Sequence, residues 1–142
     1  MEVPCRKTWS IHADLEIVNS ICSEISQWSV EQNLQEHTFP IEILMREALN
    51  NAIIHGCQMN AAGNIQVELW CDATALWLKV NDGGAGFKWE DALRVEMASD
   101  DQENGRGLKL YQLYADQVEF NECGNQVTLT RLLKDKESSG RV

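Results

Sequence analysis

Basic residues are scarce in this chain: 12 Lys and Arg stand against 22 Asp and Glu, a net charge of −10. A reader of phosphate backbones needs a basic face, so that balance argues against direct nucleic-acid binding. It leaves a nucleotide site open, because backbone N–H groups and a divalent cation can hold phosphates without many basic side chains. No apolar run approaches the roughly 18 residues of a membrane span. Met1 to Ser10 has no hydrophobic signal core, so an exported chain is not expected. The five cysteines (Cys5, Cys22, Cys57, Cys71, Cys123) include no Cys-x-x-Cys pair. Odd in number and scattered, they suit neither a disulfide framework nor a zinc site. Packed, reduced thiols and a cytoplasmic location are the expectation. Repeats, low-complexity linkers and a phosphate-binding P-loop are also missing, and prolines number only two.

What is present is enough for one domain. The 142 residues are 44% hydrophobic and 24% charged, ordinary values for a chain that buries a core. A short strand is expected over Thr8–His12. Asp14 then reads as an N-cap before Leu15, Val18, Cys22 and Ile25 at helical spacing. A second helix is expected from near Pro40, with Ile41, Met45, Ala48 and Ala52 on one face, stopping by Gly56. Ile65, Val67 and Leu69, then Leu76, Leu78 and Val80, alternate as two strands of a hairpin turned around Asp72–Thr74. Trp70 and Trp77 fall on the opposite strand face. They predict an apolar patch for a partner, or a pair covered by its neighbours.

A helix is expected over Gly107–Ala115, with Tyr111 among its packing residues, and then a closing hairpin turned at Gly124–Asn125. Residues 134–142 read as a charged tail, leaving a core of about 8–133. The order of elements predicts an α+β sandwich, with helices covering one face of a mostly antiparallel sheet.

Three segments carry chemistry. Glu47, Asn51 and His55 recur every fourth residue, forming a polar line on an otherwise apolar helix. A carboxylate and an amide one turn apart suit Mg²⁺, which takes few protein ligands and fills its shell with water and phosphate oxygens. Alone, the same line equally describes a helix with one edge in water. Asp82, at the end of a strand and followed by Gly83, Gly84 and Gly86, can accept hydrogen bonds from a ligand's amino group. The glycines let the backbone turn sharply beside a flat ring, although a plain loop is the alternative. Gly105-Arg106-Gly107-Leu108-Lys109 opens a helix, whose first N–H groups favour an anion; a flexible helix entry is the alternative.

In combination and in this order, Glu-x-x-x-Asn, Asp-x-Gly-x-Gly and Gly-x-Gly-Leu resemble the N, G1 and G2 boxes of the GHKL ATPase superfamily. The run Glu47–Gly56 is most similar to the small anti-sigma serine/threonine kinases of that group, and the resemblance extends over roughly residues 8 to 133. It implies a Bergerat-type two-layer sandwich with a mixed, mostly antiparallel sheet. It implies Glu47 as general base, Asn51 as the Mg²⁺ ligand (not Asn50, three residues on) and Asp82 as the reader of the adenine amino group. Gly84 and Gly86 would shape the pocket, and Gly105 and Gly107 would hold the phosphates. Arg106, Leu108 and Lys109 would add contacts, and His55 stands in the N box, where the family often has it.

The implied cofactors are ATP and Mg²⁺. The implied reaction is phosphorylation of a STAS-domain anti-anti-sigma factor, with an RNA polymerase sigma factor as competing partner and a homodimer as the assembly. A protein-binding module of the same fold with little or no kinase activity is the alternative. A histidine kinase would need a phosphoacceptor domain for which the chain has no room, since His12, His37 and His55 offer no such helix. A domain cut from a larger fusion is a further alternative, against which Met1 argues mildly. The expected lid, Lys88–Asn104, carries six acids against two bases. Such a lid is expected to stay open until Mg²⁺ and nucleotide arrive together.

Overall fold

Period-two alternation sets the sheet. Strands β1 (Cys5–His12), β2 (Asn64–Cys71), β3 (Ala75–Asn81), β4 (Gln117–Phe120) and β5 (Gln126–Leu132) lie in the order β1-β2-β3-β5-β4. All four described pairings are antiparallel. The computed structural model describes residues 5–57, 63–83 and 106–133. Gly84, Gly86, Gly105, the acidic segment Lys88–Asn104 and the tail 134–142 lie outside the described residues.

Register puts Val67 opposite Val80 and Leu69 opposite Leu78, and then Leu78 opposite Leu129. One sheet face is therefore aliphatic and buried, with Ile65, Leu69 and Leu78 wholly inaccessible. Helices α1 (Ile17–Glu31), α2 (Thr38–Asn51) and α3 (Arg106–Tyr114) supply the other half of that core. Ile25, Ile41, Leu44, Met45 and Leu49 are also wholly inaccessible, and Tyr111 nearly so. The two-layer α+β architecture is as the sequence predicts; β1 begins three residues earlier than expected, at Cys5, and α3 is displaced by one residue, to Arg106–Tyr114.

The other sheet face carries Trp70 and Trp77 opposite one another. Their rings stack at 5.7 Å and 14°, and the Arg6 guanidinium sits 5.6 Å from the Trp70 ring. Both indoles are half-buried. Of the two alternatives, coverage by neighbours is largely what is seen, because the rings cover each other and Arg6 of the first strand covers one of them.

Local chemistry differs from expectation at three ends. Asp14 does not cap α1 directly: its carboxylate accepts from the Glu16 N–H at 2.9 Å, forming a turn that feeds a helix beginning at Ile17. The other end of α1 is closed by Asn33 at φ 62°, where Leu34 N–H reaches Ser29 O at 2.7 Å. That is a left-handed cap, in which asparagine stands in for glycine. Pro40 lies in the first turn of α2, where a missing N–H costs nothing.

The β2–β3 turn is organised by Asp72. Its carboxylate accepts from the N–H groups of Thr74 (2.8 Å) and Ala75 (3.0 Å) and from the Thr74 hydroxyl (2.9 Å). The Thr74 backbone bond foremost holds the Asp72 carboxyl below its ordinary value of 3.8. The resulting stabilisation is fully present above about pH 4 and is lost as pH falls through the lower folded value. Asp72→Ala is expected to melt about 3 °C below the parent at pH 7. That gap should narrow as thermal melts are taken to pH 2.5, and an equal gap at both pH values would contradict the assignment.

Candidate functional site

The helix that carries Glu47 and Asn51 is held on several sides. Ala48 and Leu49 point into the core while Glu47 and Asn51 are only partly covered, as a polar edge on a buried helix requires. Beyond Asn51 the coil widens. Ala52–Gly56 is π-helical, and Cys57 N–H bonds Ala52 O at 2.8 Å, five residues back. This corrects one expectation: the line of every fourth residue assumed an α-helix through His55, and the last turn is wider than that. Such π turns collect at functional sites because they redirect a helix end without breaking it.

Here the redirected end meets the strand that carries Asp82. The Cys57 thiol lies 3.9 Å from Asp82 O, a long sulfur contact. Burial first, and then the nearby Asp82 charge, push the Cys57 thiol above its ordinary value of 9.0. Asp82 itself is only 9% exposed, immediately after β3, and its N–H donates to Asn125 O at 3.0 Å. A carboxylate this buried must be hydrogen-bonded or paired, and it places an acceptor group at the mouth of an apolar sheet. Gly83 follows at φ +69°, where its N–H donates to Asn81 Oδ1 at 2.8 Å. A side chain at Gly83 would have ample room, so the left-handed backbone is what calls for glycine here.

The remaining wall comes from residues that the sequence assigned only to packing or to a turn. Tyr111 of α3 is 1% exposed, and its hydroxyl accepts from Asn51 Nδ2 at 3.1 Å. Burial foremost pushes the phenol well above its ordinary value of 10.0; the Asn51 bond acts in the opposite sense, and the Glu47 charge raises it further. The phenol is therefore neutral at any physiological pH. The β4–β5 connection spans Asn121–Asn125. Asn121 Oδ1 accepts the N–H groups of Gly124 (2.8 Å) and Asn125 (3.1 Å), and Gly124 has φ 80°. This five-residue loop, wider than a tight Gly124–Asn125 turn, delivers Asn125 O to the Asp82 N–H. Behind it, Arg131 donates to His37 Nδ1 at 3.1 Å and to Tyr114 O at 2.7 Å, tying β5 to the start of α2 and the end of α3.

These pieces enclose one cavity. Val80, Val127 and Ala52 give it apolar walls, and Asn51, Asp82, Tyr111, Asn125 and Gln126 its polar lining. Apolar walls beside a carboxylate are the chemistry that a flat heterocycle with an amino group needs, and the space between them here is about 20 Å³. Two of the expected site residues, Asn51 and Asp82, thus share a cavity. Glu47 lies one turn before Asn51, close enough for its charge to act on Tyr111. Arg106, Gly107 and Leu108 form the first turn of α3, the helix that Tyr111 anchors. The expected ligand for Mg²⁺, the amide oxygen of Asn51, is a hard oxygen donor of the right kind. No cluster of three or more His, Cys, Asp or Glu occurs among the described residues, so an all-protein metal cage is not what they offer.

Tyr111 and Asn125 are what the sequence reading missed. A tyrosine at a core position needs a partner for its hydroxyl, and an asparagine on a buried helix needs one too. That shared need was the available signal.

Comparison with known proteins identifies the family. Residues 11–131 match the family described as Histidine kinase-like ATPase domain. Proteins named anti-sigma F factor from Bacillus thuringiensis (strain Al Hakam), Bacillus mycoides (strain KBAB4) and Bacillus anthracis (strain CDC 684 / NRRL 3495) are each 28% identical over 109 residues. The match covers 72% of this chain and 75% of each relative. Among the described residues, no helix is long and apolar enough to cross a membrane.

Proposed function

The chain belongs to the histidine kinase-like ATPase domain family, and from that premise we propose that it is an ATP-binding anti-sigma factor that also acts as a serine/threonine protein kinase. The observation that carries the reading is that Asp82 and Asn51, from separate elements, line one cavity. In this reading the Asp82 carboxylate accepts from the adenine amino group, while Val80, Val127 and Ala52 pack against the ring. The Asn51 amide oxygen would hold Mg²⁺, which when bound neutralises charge on the phosphate oxygens. The start of α3, with Gly107 and the preceding Gly105, takes the phosphates on backbone N–H groups.

Phosphoryl transfer asks for positioning and charge neutralisation more than for covalent help. Glu47 accepts the proton of the incoming serine or threonine hydroxyl. The hydroxyl oxygen bonds to the γ-phosphorus, whose bond to the bridging oxygen of ADP breaks. The anti-sigma role is supported by the relatives' shared name and by a charge that disfavours nucleic acid. A STAS-domain protein is the proposed phosphoacceptor and an RNA polymerase sigma factor the proposed competitor.

The test is incubation of the chain with γ-labelled ATP, Mg²⁺ and the STAS protein encoded nearest to it. Label on a serine or threonine of that protein, with release of its hold on this chain, is expected. Stoichiometric binding of the two proteins without transfer of label would leave a binding module and overturn the kinase part.

A further inference from the structure

Tyr111 spends an oxygen where phenylalanine would pack as well. It is buried in the same core as Leu49 and Val80, and burying a hydroxyl costs free energy unless the group is hydrogen-bonded. Its described partner is the Nδ2 of Asn51, at 3.1 Å. The two ends of an asparagine amide have nearly the same shape and opposite chemistry: one donates, the other accepts. Which end faces a ligand is decided by what holds the other. A phenol can donate or accept, and here its oxygen accepts from the amide NH₂.

We propose that Tyr111 is a positioning residue: by accepting from the Asn51 amide nitrogen it fixes the amide so that the carbonyl oxygen is the end offered to a divalent cation. The inference rests on the Mg-nucleotide reading of the same cavity and adds to it a residue that acts only through Asn51. It also gives α3 a second task. The helix whose first turn is Arg106–Leu108 reaches, one turn later, the amide that would hold the metal. Phosphate contacts and metal ligand are thereby mounted on one rigid element and its partner.

The experiment measures the ATP dissociation constant in chelator and in Mg²⁺ for the unaltered chain, Y111F, N51A and the double variant. Y111F is expected to lose about three- to ten-fold of the Mg²⁺-dependent tightening, the range of one neutral hydrogen bond, while its constant in chelator moves less than about two-fold. Because Tyr111 works through Asn51, the double variant should be no weaker in Mg²⁺ than N51A alone. Full Mg²⁺ tightening in Y111F, an equal loss in chelator and in Mg²⁺, or additive losses in the double variant would each overturn the proposal. No nucleotide binding by the unaltered chain would overturn the nucleotide reading and this inference together.

A second readout needs no variant to fold. In the unaltered chain the Asn51 side-chain NH₂ protons should exchange about ten-fold more slowly than those of exposed Asn33. Equal exchange would show that the nitrogen is not the held end.

Discussion

Asp82→Asn is expected to weaken ATP binding by about 10- to 150-fold. A hydrogen bond to a charged partner contributes about 1.5–3 kcal/mol, and the substitution removes the charge while keeping the shape. An asparagine here also turns an acceptor-only group into one that can face the adenine amino group with its own NH₂, donor against donor. The fold should survive, because the bond to Asn125 O is made by the backbone N–H of residue 82 and not by its side chain. A built-in reporter separates lost binding from lost structure. Burial is the main reason the Cys57 thiol is held above its ordinary range, and the Asp82 charge is the second. Removing that charge from an intact fold should lower the Cys57 value and speed its alkylation at pH 8 by a small factor. Unfolding would instead expose buried Cys22 and Cys71 to the reagent as well. Unchanged ATP affinity in D82N would remove Asp82 from the site.

Glu47→Gln should separate chemistry from binding. General-base catalysis contributes typically 10²–10⁴-fold, so label transfer to the STAS partner is expected to fall by about that much. The ATP dissociation constant should change by less than about three-fold, since Glu47 meets the acceptor hydroxyl and not the base. Glutamine keeps the volume and leaves the α2 packing of Ala48 and Leu49 alone. Stopped transfer with unchanged nucleotide affinity is the expected pattern. Transfer in E47Q at the parent rate would mean that the proton leaves by another route. A parallel collapse of ATP affinity would make Glu47 a ligand-binding group instead.

The elements were readable wherever a period repeated. Ile65–Val67–Leu69 and Leu76–Leu78–Val80 can bury one face only as strands, and α2 has an apolar surface that only a core position tolerates. The turn at Asp72 was readable because its mechanism is local: a short carboxylate reaching its own backbone two and three residues on. What escaped is non-local. The π turn after Asn51 leaves no mark in composition, since Ala52, Ile53 and Ile54 suit an α-helix equally well; only the fold shows that it leads to Cys57, whose thiol lies 3.9 Å from Asp82 O. Only the fold shows the Asn121 carboxamide oxygen gathering the N–H groups of Gly124 and Asn125. Tyr111 fell on the packing stripe of its helix, correctly, but that its hydroxyl finds Asn51 across the layer is a matter of how two helices cross. The motifs put Asn51 and Asp82 in a candidate site; tertiary packing brought Tyr111 and Asn125 to it.

The central claim is that Asp82 and Asn51 belong to one nucleotide site. Calorimetric titration of ATP into the intact chain, with and without Mg²⁺, tests it most directly. The account predicts saturable one-to-one binding in the micromolar to sub-millimolar range, tightened by Mg²⁺ through Asn51 and lost with the Asp82 carboxylate. Absence of saturation at millimolar ATP, or equal binding by D82N, would contradict it.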